Sequence, residues 1–289
     1  MTEITTFGGF SMLITGICAA SLILSVLLCL LCGLSWWLLP LLLVGSFLGF
    51  ALLAFLFLWL ACAVVSFDKP QEHDSKFYRF LTKLYIQALP RLIRVHIHKK
   101  GLENLPREGR FVLMCNHQSN ADPVLLLEAF PDAQLAFISK RENQDMFLIG
   151  KIMHKLMCQM INRENDREAL KTILKCIQLL KDDEVNIGVF PEGYCTTDGR
   201  LQHFRAGVFK IAQKTKVPIV VCTLKNTAEI FVNLPRLKPT HVDLHLVGVI
   251  EPEAYEGLTT VQISDMAFRM MLDDLGPDFA PLEKGEAAT

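Results

Sequence analysis

The stretch Phe111-Val112-Leu113-Met114-Cys115-Asn116-His117-Gln118-Ser119-Asn120-Ala121-Asp122-Pro123 decides how this chain folds and where its chemistry lies. Its first five residues form an apolar run, which predicts a buried strand. Asp before Pro predicts the start of a helix over 124–130, because Asp is favoured at a helix cap and Pro at the first helical position. The chain must therefore turn sharply between strand and helix.

This turn brings a histidine towards a carboxylate. The Asp122 carboxylate can return to one imidazole nitrogen of His117, which leaves the other nitrogen free to take a proton from a hydroxyl. The alternative is a loop histidine beside a plain helix cap. The catalytic interpretation is favoured by a second motif, Phe190-Pro191-Glu192-Gly193, which follows another apolar run over 185–190. Loops after parallel strands gather at one sheet edge, where ligands bind.

The N-terminal part of the chain is apolar throughout. No Asp, Glu, Lys or Arg lies in the 64 positions from Ile4 to Phe67. A bilayer crossing takes about 20 residues, so this length suits two crossings, and we predict membrane helices over 11–33 and 40–65. A secretory signal is disfavoured because no basic residue precedes the run. A buried core hairpin, the other alternative, is disfavoured because core helices rarely lack a polar face.

The segment after the apolar run is basic. Residues 68–110 hold ten Lys or Arg against five Asp or Glu. Positive charge beside a membrane helix marks the cytoplasmic side, so we expect a cell-membrane protein whose catalytic domain lies on the cytoplasmic face. The stretch 76–100 either binds anionic lipid headgroups or is an ordinary solvated helix face.

From residue 92 onward, strand-like runs alternate with helical stretches. This pattern predicts an α/β layered domain with a mostly parallel sheet. We divide the chain into a membrane hairpin (1–67), a basic juxtamembrane segment (68–91), a catalytic domain (92–250) and an acidic C-terminal segment (251–289) whose end is expected to fray. The nine cysteines lack metal-ligand spacing, so reduced thiols and no metal site are expected. Nothing in the sequence suggests a nucleotide fingerprint or a nucleic-acid partner.

Seven ordered motifs resemble the glycerolipid acyltransferase family, most closely the 1-acylglycerol-3-phosphate acyltransferases. The resemblance covers roughly residues 92–249 and begins before the first predicted strand of the domain. Its parts, in order, are Gly101 to Pro106, Asn116 to Asp122, Ser139 to Glu142, Ile161 to Arg163, Phe190 to Gly193, Asp198 to Arg200 with Phe204 to Gly207, and Val217 to Val220.

The resemblance implies a reaction. An acyl group would pass from an acyl thioester, either acyl-CoA or acyl carrier protein, to the free hydroxyl of 1-acylglycerol 3-phosphate, giving phosphatidic acid with no further cofactor. Glycerol 3-phosphate or another lysophospholipid is the alternative acceptor. Two other classes stay open: a non-catalytic, membrane-tethered lipid-binding relative, and a thioesterase or lipid hydrolase that passes the acyl group to water.

The resemblance also implies the site residues. The catalytic pair is His117 and Asp122, and the expected substrate-binding residues are Asn116, Ser119, Lys140, Arg163, Glu192, Gly193 and Arg205. Where the family usually continues its Phe-Pro-Glu-Gly with Thr-Arg-Ser, this chain has Tyr194-Cys195-Thr196. An arginine commonly assigned to the acceptor phosphate is therefore missing. We expect Arg163 and Lys140, and after them Arg205, to meet the phosphate charge instead.

Overall fold

The structure, a computed structural model, describes residues 4–5, 11–196 and 198–281, so the end that was expected to fray, 282–289, lies outside the described residues. In chain order the elements are β1 (Ile4–Thr5), α1 (Met12–Leu31), α2 (Leu39–Ala63), α3 (Lys76–Ile86), α4 (Leu89–Leu92), β2 (Val95–Lys100), β3 (Val112–Cys115), α5 (Asp122–Ala129), β4 (Leu135–Lys140), α6 (Ile149–Lys155), β5 (Gln159–Ile161), α7 (Asp166–Lys181), β6 (Asn186–Val189), α8 (Lys210–Thr215), β7 (Ile219–Lys225), α9 (Glu229–Asn233), β8 (Thr240–Ile250) and α10 (Thr260–Leu275).

Within the described residues, eight strands form one sheet in the order β1-β2-β8-β7-β3-β6-β4-β5. The five strands from β7 to β5 run parallel to one another. β2 and β8 are parallel to each other, but β8 is antiparallel to β7, and the two-residue β1 is antiparallel to β2. The mostly parallel α/β sheet expected from the sequence is confirmed.

The sheet is covered on both faces. In β3 every residue is buried, and successive side chains enter opposite layers: Val112 and Met114 pack with α7, α8 and α10, whereas Leu113 and Cys115 pack with α5 and α9. Burial on both sides explains why the strand reads as a continuous apolar run rather than an alternating one. The central strands are therefore rigid supports for the loops that follow them.

The two apolar helices form an antiparallel hairpin, as predicted. Met12–Leu31 and the stretch Trp36–Ala63, a 3-10 turn continued by α2, have the length and hydropathy of membrane spans, and few of their side chains are buried in the protein. Serines join the two helices: the hydroxyl oxygens of Ser25 and Ser46 are 3.1 Å apart, and Ser46 also donates to the Ser21 carbonyl at 3.2 Å. Small polar residues of this kind let membrane helices approach closely.

A helix that the sequence reading did not assign, α3, connects the hairpin to the catalytic domain. The hydroxyls of Tyr78 and Tyr85 donate to the carbonyls of Ala61 and Ala54 in α2, both at 2.6 Å. On the other side, Arg79 donates to the Leu135 carbonyl at the start of β4. The basic juxtamembrane segment thus contains an amphipathic helix that fixes the hairpin against the sheet.

We expect a charge in the apolar hairpin to disturb membrane association. Leu56, in the middle of α2, is 42% exposed, and an arginine at a membrane helix centre costs about 2.5 to 3.5 kcal/mol on insertion scales. Leu56→Arg should therefore move protein out of the membrane fraction, whereas Leu56→Met should not. Leu174→Arg, a matched change at an exposed leucine of α7, controls for effects of the new charge on expression. Unchanged membrane recovery of Leu56→Arg would contradict the membrane assignment of α2.

Candidate active site

The carboxyl ends of four neighbouring parallel strands bring together most of the residues singled out by the sequence. His117 follows β3, Glu192 follows β6, Lys140 ends β4, and Arg163 follows β5. Parallel strands end at one edge of the sheet, and ligands of open α/β sheets bind at this edge. The sheet order therefore places two motifs that are distant in sequence on adjacent strands.

His117 and Asp122 are in direct contact. The imidazole Nδ1 lies 2.8 Å from the Asp122 Oδ2, and the Phe190 ring stacks on the imidazole at a centroid distance of 4.1 Å. The same carboxylate oxygen accepts the backbone N–H groups of Gln118 and Ser119. With these donors around an ionised carboxylate, Nδ1 carries a proton and donates it, so Nε2 is the nitrogen that faces the chemistry.

Asp122 is completely buried and is the first residue of the helix, whereas the sequence predicted it as the cap before the helix. The predicted helix covered 124–130 with Asp122 as its cap, but α5 begins at Asp122 itself, after Ala121 as cap. The carboxylate oxygen reaches back across the turn to three donors instead of capping from outside. A buried carboxylate held by several donors keeps the imidazole in one orientation.

Glu192 joins the loop after β3 to the loop after β6. One carboxylate oxygen accepts the backbone N–H of His117 at 2.6 Å, and the other accepts the N–H of Gln202 at 2.8 Å. The Thr196 N–H donates in turn to the His117 carbonyl at 2.9 Å. Burial raises the pKa of Glu192 to about 7, against the opposing effect of its two N–H donors. In this structure Glu192 holds the two loops together, and the substrate-binding role that the resemblance implies stays a prediction.

The free imidazole nitrogen expected from the sequence is occupied. The Cys195 Sγ lies 3.0 Å from His117 Nε2, so the thiol stands where a substrate hydroxyl was expected to approach. Burial by itself lowers the pKa of His117, but hydrogen bonds to Asp122 and Cys195 outweigh it and raise the pKa to about 9. The imidazole is therefore mostly protonated at neutral pH while the thiol is its partner.

Two arginines lie close together beside the thiol. Burial and the neighbouring Arg205 guanidinium lower the pKa of Arg163, and Cys195 contributes the opposite effect. Gly193 has a φ of 84°, and a Cβ there would come within 2.7 Å of the Arg205 Nε, so only glycine fits. The Glu142 carboxylate raises the pKa of Arg163, so an acid also lies near this pair. Two adjacent cations still favour an anion between them.

The other predicted binding residues are either exposed at a strand end or already hydrogen-bonded within the protein. Lys140 is exposed at the end of β4, paired with Ile161 of β5 and two positions from Arg163 along that strand end. The Asn116 side chain is buried and bonds both to the N–H and to the carbonyl of Leu224 on β7. The Ser119 hydroxyl accepts the Ala121 N–H within the turn. The contacts of Asn116 and Ser119 support the loop, and their substrate-binding role stays a prediction.

The sequence did not predict the contact of Cys195 with His117. It indicated only that an arginine is absent at this position, and nothing in the local pattern fixes where a side chain after a glycine turn points. Phe190 was noted as part of a motif, and its stacking on His117 became visible only with the fold. The signal that was available is the position itself, three residues after Glu192 and opposite the histidine motif on the adjacent strand.

Comparison with known proteins finds similarity to acyltransferases. Residues 96–225 match the acyltransferase family model. A relative from Mycoplasma pneumoniae, named "Probable 1-acyl-sn-glycerol-3-phosphate acyltransferase", is 28% identical over 191 residues, which cover 62% of this chain and 71% of that protein. The chloroplastic 1-acyl-sn-glycerol-3-phosphate acyltransferase BAT2 of Brassica napus is 35% identical over 170 residues, covering 58% of this chain. The matched region spans only about half, 47%, of the plant protein.

The fold also matches a solved structure. The crystal structure of the 1-acyl-sn-glycerophosphate (LPA) acyltransferase PlsC from Thermotoga maritima superposes with a TM-score of 0.57 at 22% identity, covering 76% of this chain and 87% of that chain. At this identity the likeness concerns the fold. The family match over 96–225 contains both the histidine motif and the Phe-Pro-Glu-Gly loop. Residues 96–225 of this chain are therefore similar in sequence to the acyltransferase family model, and the chain is similar in fold to a solved acyltransferase.

Proposed function

We propose that this protein transfers an acyl group from an acyl thioester to the free hydroxyl of 1-acylglycerol 3-phosphate, giving phosphatidic acid. The observation that carries the proposal is the contact of His117 with the fully buried Asp122, at the sheet edge of a region that matches the acyltransferase family model. The names of the relatives support the acceptor. Glycerol 3-phosphate and other lysophospholipids remain the competing acceptors.

The chemistry follows from the orientation of the imidazole. Nδ1 donates to Asp122, so once the acceptor hydroxyl replaces Cys195 beside Nε2, the neutral imidazole takes the proton through Nε2 as the acceptor oxygen attacks a thioester carbonyl. The carboxylate stabilises the imidazolium that forms. The thiol of the donor then leaves with that proton, and the imidazole returns to its starting state. Asp122 orients the imidazole and stabilises its charged form, whereas His117 takes up and releases the proton.

The acceptor phosphate is proposed to bind at the pair formed by Arg163 and Arg205. Burial and, after it, repulsion by Arg205 lower the pKa of Arg163, and a dianion between the two guanidinium groups would offset both effects. Arginine also holds phosphate oxygens through several donors at once. This pair takes the role of the arginine that the family usually carries at the position of Cys195, with Lys140 at the rim of the site.

The acceptor and the product are lipids, and the hairpin offers a membrane anchor that is fixed to the sheet of the same domain. Tyr78 and Tyr85 of α3 fix α2, and Arg79 of the same helix donates to the Leu135 carbonyl at the start of β4. The exposed apolar residues Phe77 and Phe80 lie on α3 with Lys76 and Lys83, a combination that suits a bilayer surface with anionic headgroups. We infer that the domain works at the membrane, on its cytoplasmic face, with acyl-CoA or acyl carrier protein as the donor.

An acceptor panel tests this function. The purified full chain is supplied in mixed micelles with acyl-CoA or acyl carrier protein thioester and, separately, with 1-acylglycerol 3-phosphate, glycerol 3-phosphate, lysophosphatidylcholine and monoacylglycerol. The proposal expects 1-acylglycerol 3-phosphate to be used most efficiently, with phosphatidic acid identified by mass. A clear preference for another acceptor overturns the substrate. Release of free fatty acid without an acylated lipid identifies a hydrolase instead.

Removing one arginine should affect the phosphorylated acceptor selectively. We expect Arg163→Ala to lower kcat/KM for 1-acylglycerol 3-phosphate by about 10- to 100-fold, or about 1.4 to 2.7 kcal/mol, and to change monoacylglycerol use little. A charge pair about 4 Å apart is worth about 4 kcal/mol at a dielectric of 20 before desolvation is subtracted. Arg167→Ala, at an exposed arginine in the first turn of α7, is the matched control. Equal losses on both acceptors would move the phosphate site elsewhere.

A further inference from the structure

The chain returns to the candidate active site after its last helix. Beyond α10, Gly276 turns the backbone with φ 98° and ψ 167°, a conformation that is essentially restricted to glycine, and a 3-10 turn over Pro277–Phe279 follows. We call residues 277–280 the C-terminal strap. Phe279 and Ala280 are half-buried there. The strap lies outside residues 96–225, so the match to the family model assigns it no role.

The strap holds a segment of irregular backbone. The Phe279 carbonyl accepts the Leu201 N–H at 2.8 Å, and the Ala280 carbonyl accepts a hydrogen bond from Arg200 Nη1 at 3.1 Å. The Phe279 ring packs against the hydrophobic core, and the Lys225 Nζ lies 5.7 Å from the ring centroid. Leu201 is 1% exposed, so its N–H is shielded from water. The strap carbonyl is therefore the partner that satisfies this buried N–H.

The segment that the strap holds reaches His117 through Glu192. The Gln202 N–H donates to one carboxylate oxygen of Glu192 at 2.8 Å, and the other oxygen accepts the His117 N–H at 2.6 Å. The Gly199 carbonyl of the same segment accepts a hydrogen bond from Gln118 Nε2 at 3.2 Å, beside the histidine. A continuous series of hydrogen bonds thus joins the strap to the backbone of the residue that takes up the proton.

We propose that Phe279 and Arg200 are positioning residues for His117, which act by fastening the strap to the segment 199–202 and thereby fixing the carboxylate of Glu192. The inference rests on the proposed function, because it concerns the proton acceptor of that reaction. Residues 198–205, all of them described, contain no helix or strand. Their position therefore depends on contacts of this kind rather than on a ladder of backbone hydrogen bonds.

Loosening the strap should slow the reaction without weakening acceptor binding. Glu192 either loses its hydrogen bond from Gln202 or moves with it, and the backbone of His117 follows. A displacement of about 1 Å can cost about 100-fold in rate. The proposed phosphate site has other supports: Arg163 follows β5, and the Arg205 N–H donates to the Pro191 carbonyl. The effect should therefore fall on kcat, and KM should change little.

Single variants of the full chain test the two contacts. Phe279→Ala removes the ring that packs the strap onto the core, and Arg200→Ala removes the hydrogen bond to Ala280. Each should lower kcat by about 10-fold and change KM by less than about 2-fold. Phe279→Leu keeps the apolar bulk and Arg200→Lys keeps a donor, so both should recover most of kcat. Phe231→Ala, at an exposed phenylalanine of α9, is the matched control and should keep full activity.

A double-mutant cycle separates positioning from a general loss of stability. Phe279→Ala and Arg200→Ala are each combined with Glu192→Gln, and kcat is measured for single and double variants. Because the strap is proposed to act through Glu192, each alanine change should cost no more than about 2-fold in the Glu192→Gln background. Losses of about 10-fold in both backgrounds are those of independent sites and overturn the proposal. Thermal unfolding checks folding, and the half-buried Arg200 keeps the test valid if Phe279→Ala does not fold.

The identity of the acceptor does not affect this test. Every variant is assayed with the acceptor, a lipid of the panel or water, that the wild-type chain uses best. A wild-type preference for an acceptor other than 1-acylglycerol 3-phosphate overturns the proposed substrate, and the cycle still decides the role of the strap. Phosphatidic acid formed with full kcat by both alanine variants, or variants altered only in KM, overturns the strap proposal and leaves the proposed function standing.

Discussion

Replacing His117 with alanine is expected to lower turnover by about 10²- to 10⁴-fold, or about 3 to 5 kcal/mol of barrier, while the protein stays folded. The imidazole is the only group described at this site that contacts both Asp122 and Cys195, at 2.8 and 3.0 Å. Its loss removes the proton acceptor and leaves the buried carboxylate with its two backbone donors. Those donors keep the turn in place, so the effect falls on the rate.

A second histidine provides the matched control. His245 on β8 contacts Asp274 of α10 through Nδ1 at 2.5 Å, and both side chains are partly buried, whereas Asp122 at the candidate site is fully buried. His245→Ala therefore removes a similar histidine–carboxylate contact from another part of the sheet and should change turnover little. Circular dichroism and thermal unfolding check folding for both variants. Nearly wild-type turnover by a folded His117→Ala protein would refute the role of His117.

Changing Glu192 to glutamine is expected to lower turnover by about 100-fold, because it disturbs the position of His117. The two carboxylate oxygens accept the N–H groups of His117 and Gln202, and an amide offers only one acceptor, so one buried N–H loses its partner. An unsatisfied buried group costs about 1 to 3 kcal/mol, and a displacement of about 1 Å can cost about 100-fold in rate. Glu229→Gln, at an exposed glutamate of α9, should leave turnover unchanged.

The same variant tests the pKa of Glu192 through stability. The folded pKa is about 7 and the ordinary value is 4.5, so between these values the folded protein binds more protons than the unfolded chain. The free energy of unfolding should therefore fall as the pH rises from 4.5 to 7, by up to about 3 kcal/mol from this group. Glu192→Gln lacks this titration, so the difference in unfolding free energy between the two proteins should change across that window. A constant difference would contradict the raised pKa.

Much of the architecture could be predicted because each signal was local and strong. The run before Asn116 is buried on both faces of the sheet and therefore apolar at every position, and the absence of charge from Ile4 to Phe67 marked the helices of the hairpin. Asp122 was expected to reach His117, and it does, at 2.8 Å. The predicted start of this helix was wrong, because α5 begins at Asp122 itself. Its carboxylate accepts hydrogen bonds from the loop that precedes the helix.

The rest depended on contacts between distant parts of the chain. The short strand β5 and the helix α3 were not assigned, because three residues carry little periodicity and the tyrosine contacts of α3 with α2 are tertiary. The roles of Asn116 and Cys195 are set by partners more than 75 positions away, Leu224 in one case and His117 in the other. Strand order, which no local pattern specifies, decides those pairs.

The measurement that tests the central claim most directly is product analysis with the wild-type chain, acyl-CoA and 1-acylglycerol 3-phosphate as the only substrates. The account predicts phosphatidic acid carrying both acyl chains, formed in a 1:1 ratio with free CoA thiol, and formation of both products should be lost in His117→Ala. CoA release with free fatty acid in place of phosphatidic acid, or phosphatidic acid formed equally well without His117, would contradict it.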